Sequence, residues 1–185
     1  MPSDNNPKYV SVVKGAIGGY VYMAASGSTL PTDYSTALDP AFKCIGYVSD
    51  EGITHSKSVS NTDFFDINGT LVESAAGSTT RTVKQKFIEV NEYSLKEAKG
   101  QSNVTNNAGD LSYEETDDIM AERSIVYEMV LKGGRKFRRV IPCAKVTDWG
   151  DETDLSTALG GFELTYTKYP DASGNYEYGY IEKIS

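Results

Sequence analysis

One histidine, two cysteines and a few carboxylate clusters are the residues of this chain equipped for chemistry, and their spacing decides what they can do. His55 is the sole imidazole, so any Ser–His or Cys–His nucleophile mechanism has to pass through it. It sits in Ile53-Thr54-His55-Ser56-Lys57, a polar strand pattern with no activating partner beside it, and is read as a solvent-facing side chain. Cys44 and Cys143 are widely separated, and with one histidine they do not make the paired spacing of a tetrahedral zinc site. They are expected to be two reduced, largely buried thiols. Glu114-Glu115-Thr116-Asp117-Asp118 has oxygens for a hard cation but lacks the alternating ligands and obligatory glycine of a calcium loop, so it reads as a solvated surface connection. Asp148, Asp151, Glu152 and Asp154 surround Trp149-Gly150 with nothing to fix the separation an acid–base pair needs. Gly15-Ala16-Ile17-Gly18-Gly19 has neither the spacing nor the following helix of a phosphate loop. The residues therefore point to no catalytic site, no metal and no cofactor.

Charge narrows the partners. A formal net charge of -8 disfavours affinity built on neutralising phosphates, which comes from clustered Lys and Arg. The one basic cluster, Lys132, Arg135, Lys136, Arg138 and Arg139, has only Phe137 interleaved and is poor as a nucleic-acid patch. It reads instead as a hairpin edge whose charge meets an acidic neighbour, in this chain or in another copy, with Glu114 to Asp118 as the expected partner. No run approaches the 18 or so apolar residues that cross a bilayer. Met1-Pro2-Ser3-Asp4-Asn5-Asn6-Pro7 is unlike an export signal, so the product is expected to stay where it is made.

The elements that must position these residues are mostly strands. Tyr9 to Val13 and Tyr20 to Ala24 flank the glycines at 15 to 19 and predict an opening hairpin. Ile45 to Val48 and Ile53 to Val59 predict two strands about an Asp50-Glu51-Gly52 turn. Phe64 to Ile67 and Leu71-Val72 flank Asn68-Gly69, the strongest short hairpin signal present. Thr80 to Val90 predicts a long strand. Asn91 is placed to cap a helix from Glu92 to Lys99 with Gly100 closing it and Tyr93, Leu95 and Ala98 as its apolar stripe. Short strands at Asn103 to Thr105 and Leu111 to Glu114 follow, then a hairpin of Ser124 to Leu131 and Arg135 to Pro142 about Gly133-Gly134. The first of these two strands is apolar on both faces, which requires cover on both sides. Phe162 to Tyr169, a turn at Asp171 to Asn175 and Tyr176 to Ile184 end the chain. About ten strands with short turns predict an all-β sandwich or barrel with one short packed helix. At 185 residues this is one domain, 1–185, with residues 1–8 as a flexible N-terminal arm.

One stretch fits no element. Ser26 to His55 lacks a hydrophobic period, and loops of that length inside a compact domain are usually functional or disordered. Leu30, Leu38, Phe42, Ile45 and Tyr47 are apolar anchors that a solvated linker would not carry, and Pro31 and Pro40 stiffen it. With Ile45 onward assigned to strand, the irregular part is Ser26 to Lys43, a docking loop.

Within that loop the order Leu30-Pro31-Thr32-Asp33, an Ala37-Leu38-Asp39 turn, Ala41-Phe42-Lys43 and Gly46-Tyr47-Val48-Ser49-Asp50-Glu51-Gly52 resembles the major tail protein of long-tailed, non-contractile bacteriophages. Phe87-Ile88-Glu89-Val90-Asn91 and Gly100-Gln101-Ser102-Asn103-Val104-Thr105 continue the likeness, which covers roughly the N-terminal two thirds. The resemblance implies a tail-tube fold and a structural virion protein: hexameric rings stacked into a tube, a conduit through which DNA passes without specific binding. It implies as partners other copies of the chain, a tape-measure protein inside the tube, and terminator and tip proteins at its ends, with assembly in the bacterial host cytoplasm. It also implies that the loop reaches a neighbouring subunit through Leu30, Pro31, Thr32, Asp33, Leu38 and Phe42. No extra immunoglobulin-like domain is expected after Ser185. The residues also admit a monomeric β-sandwich binding module on a virion or cell surface, and the inner tube of a contractile injection machine, which shares the fold.

Overall fold

Glycine-punctuated runs of β-branched and aromatic residues pair over long distances here, and the single capped stretch becomes the single α-helix. The computed structural model describes residues 5–117, 120–152 and 159–184. In chain order the elements are β1 (Lys14–Gly15), β2 (Val21–Ala25), β3 (Lys43–Cys44), β4 (Val48–Phe65), β5 (Leu71–Phe87), α1 (Glu92–Lys99), β6 (Val104–Asn107), β7 (Asp110–Tyr113), β8 (Arg123–Val130), β9 (Lys136–Trp149), β10 (Phe162–Tyr169) and β11 (Tyr178–Ile181). Nine strands form one antiparallel sheet in the order β3-β2-β8-β9-β10-β5-β4, with β1 added to β8 and β11 to β9; β6 and β7 pair separately. Among the described residues the fold is all-β with one α-helix.

Strand alternation sends two sets of side chains to opposite faces. On the inner face Val21, Met23, Val83, Phe87, Ile125, Tyr127, Ile141, Leu164 and Tyr166 form the main core, closed by Leu95 and Ala98 of α1. On the other face Ala24, Val126 and Val140 form a smaller cluster with Phe42. A shift in register between Arg123 and Ile125 lets β9 continue past Pro142 with Ala144 and Val146 again turned inward. Both sides of β8 are thus buried, as its two-faced apolar pattern requires.

The helix starts where its cap dictates. Asn91 accepts from the Tyr93 and Ser94 backbone N–H groups at 2.8 and 2.9 Å, while the Ser94 hydroxyl accepts from the Asn91 N–H at 3.0 Å. Its buried stripe is Ser94, Leu95, Glu97 and Ala98, and Tyr93 faces solvent, one position round from the expected stripe. Glu97 is tolerated inside because Arg123 meets it at 2.8 Å and Gln101 at 3.2 Å. Burial still holds its carboxyl above the ordinary value.

Several expectations are corrected. The opening segment is no hairpin: β1 and β2 both pair with β8, Lys14 opposite Val130 and Val21 opposite Tyr127, because β8 offers a long apolar edge that neither short strand offers the other. Tyr9 begins no strand and closes a 3-10 turn over Pro7–Tyr9 capped by Asn6; residues 1–4 of the proposed N-terminal arm lie outside the described residues. The strands expected on either side of Asp50-Glu51-Gly52 are one strand with a bulge between Val48 and Ile53, and Gly52 at φ 82° supplies the backbone that lets pairing resume. Leu71-Val72 and the strand expected over Thr80 to Val90 likewise merge into β5, which ends at Phe87.

Candidate assembly surfaces

The loop from Ser26 to Phe42 closes over its own subunit. Phe42 is 6% exposed against Ala24, Val126 and Val140, with Leu30 and Leu38 packed beside it and Pro31 buried. Arg138 rivets the loop down. It is 5% exposed, donates to the backbone oxygens of Asp33 and Thr36 at 2.7 and 2.8 Å, and pairs with Glu128 through Nε at 2.8 Å. The planar fork of a guanidinium suits this three-way anchoring. Asp33 shapes the turn that presents those carbonyls: its carboxylate accepts from the Ser35 and Thr36 N–H groups at 2.6 Å and from the Thr36 hydroxyl at 2.7 Å. These bonds, led by the Thr36 hydroxyl, hold its carboxyl far below the usual range. Of the six loop residues singled out from sequence, Phe42 and Pro31 are buried, Leu30, Asp33 and Leu38 are half-buried, and Thr32 is exposed. The apolar ones face their own sheet.

A polar cluster fixes β4 to the body of the sheet. His55 is mostly buried, edge-on to the Tyr127 ring at 5.7 Å, with its Nδ1 3.0 Å from the Lys168 ammonium. Lys168 also meets Glu177 at 2.6 Å, and Arg139 lies 3.6 Å from the same carboxylate. Burial pushes the imidazole below its ordinary pKa, and the Lys168 and Arg139 charges reinforce that. Burial works the other way on Glu177, but the contacts with His55 and Lys168 prevail and hold its carboxyl at about 2. The expectation of a solvent-facing histidine is overturned: β4 turns His55 inward, where β10 and the turn before β11 cover it. Both cysteines are free thiols and half-buried. Within the basic cluster Arg138 meets Glu128 and Arg139 meets Glu177, while the Glu182 carboxylate accepts from the Lys136 backbone N–H; Glu115 of the acidic run takes Lys99 at 3.3 Å, and Asp118 and Asp154 lie outside the described residues.

Beyond His55 the β4–β5 hairpin leaves the body. From Ser56 to Thr80 only Ala75 and Thr79 are even half-buried, so two strands stand in solvent on both faces. The turn is firm: Asp66 accepts from the Asn68 and Thr70 N–H groups at 2.9 and 2.7 Å, and Gly69 takes φ 78°. The ribbon is apolar nonetheless. Phe64 is 51% exposed and Phe65 62%, with Val59, Ile67, Leu71 and Val72 also bare. A two-stranded hairpin is marginal alone in water, and this one exposes side chains that elsewhere would be core.

The outer edge of β4 pairs with no described strand, so a row of backbone donors and acceptors stands open. At the opposite side of the sheet β1 pairs with no described strand but β8, and ahead of it Val10, Val12 and Val13 run exposed. Sequence reasoning centred on the loop and passed over both surfaces. The signal was present in the apolar residues crowding Asn68-Gly69, where a solvated hairpin tip would be polar.

Among the described residues no helix is long and apolar enough to cross a membrane. A comparison with curated protein sequences gives no match. The family model for phage tail tube proteins matches residues 5–183, nearly the whole chain and well beyond the loop that first suggested the likeness. The chain belongs to the phage tail tube proteins, structural components of the virion tail and not enzymes.

Proposed function

We propose that this subunit closes into hexameric rings that stack as the tail tube and carry DNA toward the host during ejection. The observation that carries this reading is the open sheet: one long edge strand, a second bare edge across the sheet, and an apolar ribbon with nothing to cover it. Pairing edge to edge around a ring removes both edges. Half of the outer face supports the role of conduit. Where the loop does not reach, β5 and β10 present Thr82, Thr165 and Thr167, with Lys84 and Glu163 paired at 2.8 Å. Lys86, Lys145 and Asp148 share that face, so hydroxyls and charges of both signs are interspersed there instead of a single-sign patch for phosphates, consistent with cargo that passes without specific binding.

The loop's part in assembly falls to its outward residues, Thr32, Ser35, Thr36 and Ala37, held in shape by Leu30, Pro31, Asp33, Leu38 and Phe42 beneath. Tape-measure, terminator and tip proteins are the partners this reading requires, with assembly in the host cytoplasm before the tail is complete. Electron microscopy of the purified protein across rising concentration tests it. Rings or stacked tubes are expected, and a protein that stays monomeric at every concentration overturns it in favour of a monomeric binding module.

A further inference from the structure

The two uncovered surfaces fit each other. Register places them: Val130 at the end of β8 opposes both Lys14 and Lys136, so β1 lies where β9 begins. Along β10, Tyr169 opposes Cys143 and Thr167 opposes Thr82, so β5 before Thr82 runs past the end of β10 toward that same end of β9. The hairpin and the β1 segment therefore sit at one end of the sheet and on opposite lateral edges.

Their chemistry is complementary as well. Between Ser58 and Thr80 the ribbon carries Asp63, Asp66 and Glu73 with no Lys or Arg. From Pro7 to Ile17 the other segment carries Lys8 and Lys14 with no carboxylate. Beside it a groove of about 630 Å³ is lined by Val10, Val12, Ile17 and Leu131 with Lys14 and Lys132. Among the described residues none of Lys8, Lys14 and Lys132 has a carboxylate within ion-pair distance. The Ser11 hydroxyl accepts from the Lys132 N–H at 2.6 Å and holds the segment against the β8–β9 turn, and Val10 before it is extended.

We infer that the tip of the β4–β5 hairpin of one copy docks on the Val10–Lys14 edge and its groove in the next copy, with Phe64 and Phe65 as apolar anchors and Asp63 and Glu73 facing Lys14 and Lys132. This rests on the ring reading and names the surfaces that close it. A strand laid on an exposed edge gains main-chain hydrogen bonds, and side chains in a groove select the partner. Opposite charges steer the approach and fix the register.

Charge exchange tests the pairing. Asp63→Lys with Glu73→Lys should raise the concentration needed for assembly by about tenfold or more, and so should Lys14→Glu with Lys132→Glu. The chain carrying all four changes should regain assembly. Circular dichroism of each variant should match the parent, since all four positions are exposed. In a Cys44→Ser, Cys143→Ser background, Val13→Cys with Thr62→Cys, exposed neighbours of the groove and the anchors, should give an oxidised ladder of dimers and higher species. Tubes from the parent together with unimpaired assembly of both reversed variants, or with a crosslinked sample that stays monomeric, overturn this contact and leave the ring reading standing. A parent chain that never assembles removes the ring reading and this contact with it.

Discussion

Arg138 shows what a single residue settles here. Its guanidinium joins a loop, a strand and Glu128 in one buried fork, so removal strands a carboxylate and two carbonyls. Arg138→Met is expected to cost about 3–5 kcal/mol, read from denaturant midpoints. A second residue-scale prediction follows from acid. Glu177 in the fold has its pKa near 2, below the 4.5 of an ordinary glutamate, so its stabilising share is full above about pH 4.5 and is lost as pH falls toward 2. His55, also depressed, adds a loss that begins below its ordinary 6.5, because burial above all, and then the Lys168 and Arg139 charges, disfavour protonation. Urea midpoints at pH 7, 5 and 3 should fall steadily, and Glu177→Gln should flatten the lower half of that decline. Residue types alone could not reveal this cluster, because His55 reaches Lys168 across 113 positions of sequence.

At the scale of elements, local signals were legible and distant ones were not. The cap at Asn91, the Asn68-Gly69 turn, the Gly133-Gly134 turn and β10 all follow from a few neighbouring residues, and each stands where its chemistry puts it. The opening segment did not, since nothing near Lys14 announces that its partner is Val130. Asn91→Ala should cost about 1 kcal/mol through loss of the cap, measured by thermal or urea unfolding. Gly161 bears more. It has φ 152°, and a Cβ there would stand 2.0 Å from the Phe87 carbonyl oxygen, a backbone atom that cannot swing aside. Gly161→Ala should therefore disturb the first rungs of the β10–β5 pairing, Phe162 to Phe87 and Glu163 to Lys86, and lower stability by more than about 2 kcal/mol.

For the whole molecule, folding and assembly draw on different phenylalanines. Phe42 lies inside the subunit, so Phe42→Ala should cost about 3–5 kcal/mol and impair tubes only by impairing the fold. Phe64→Ser with Phe65→Ser should leave monomer stability within about 0.5 kcal/mol per site while abolishing tubes, seen by microscopy against matched circular dichroism. The sequence presented both sets as apolar residues in irregular surroundings. Only the path of the chain separates them, because the loop folds back over β8 and the hairpin has no sheet beneath it. The two open edges are also unlike, one long strand against one short segment. A symmetric pair joined through either edge leaves the other edge open. In the proposed ring each edge meets the other kind, so copies follow one another head to tail, the upper and lower rims differ, and a tube of such rings has a direction before any other tail protein touches it.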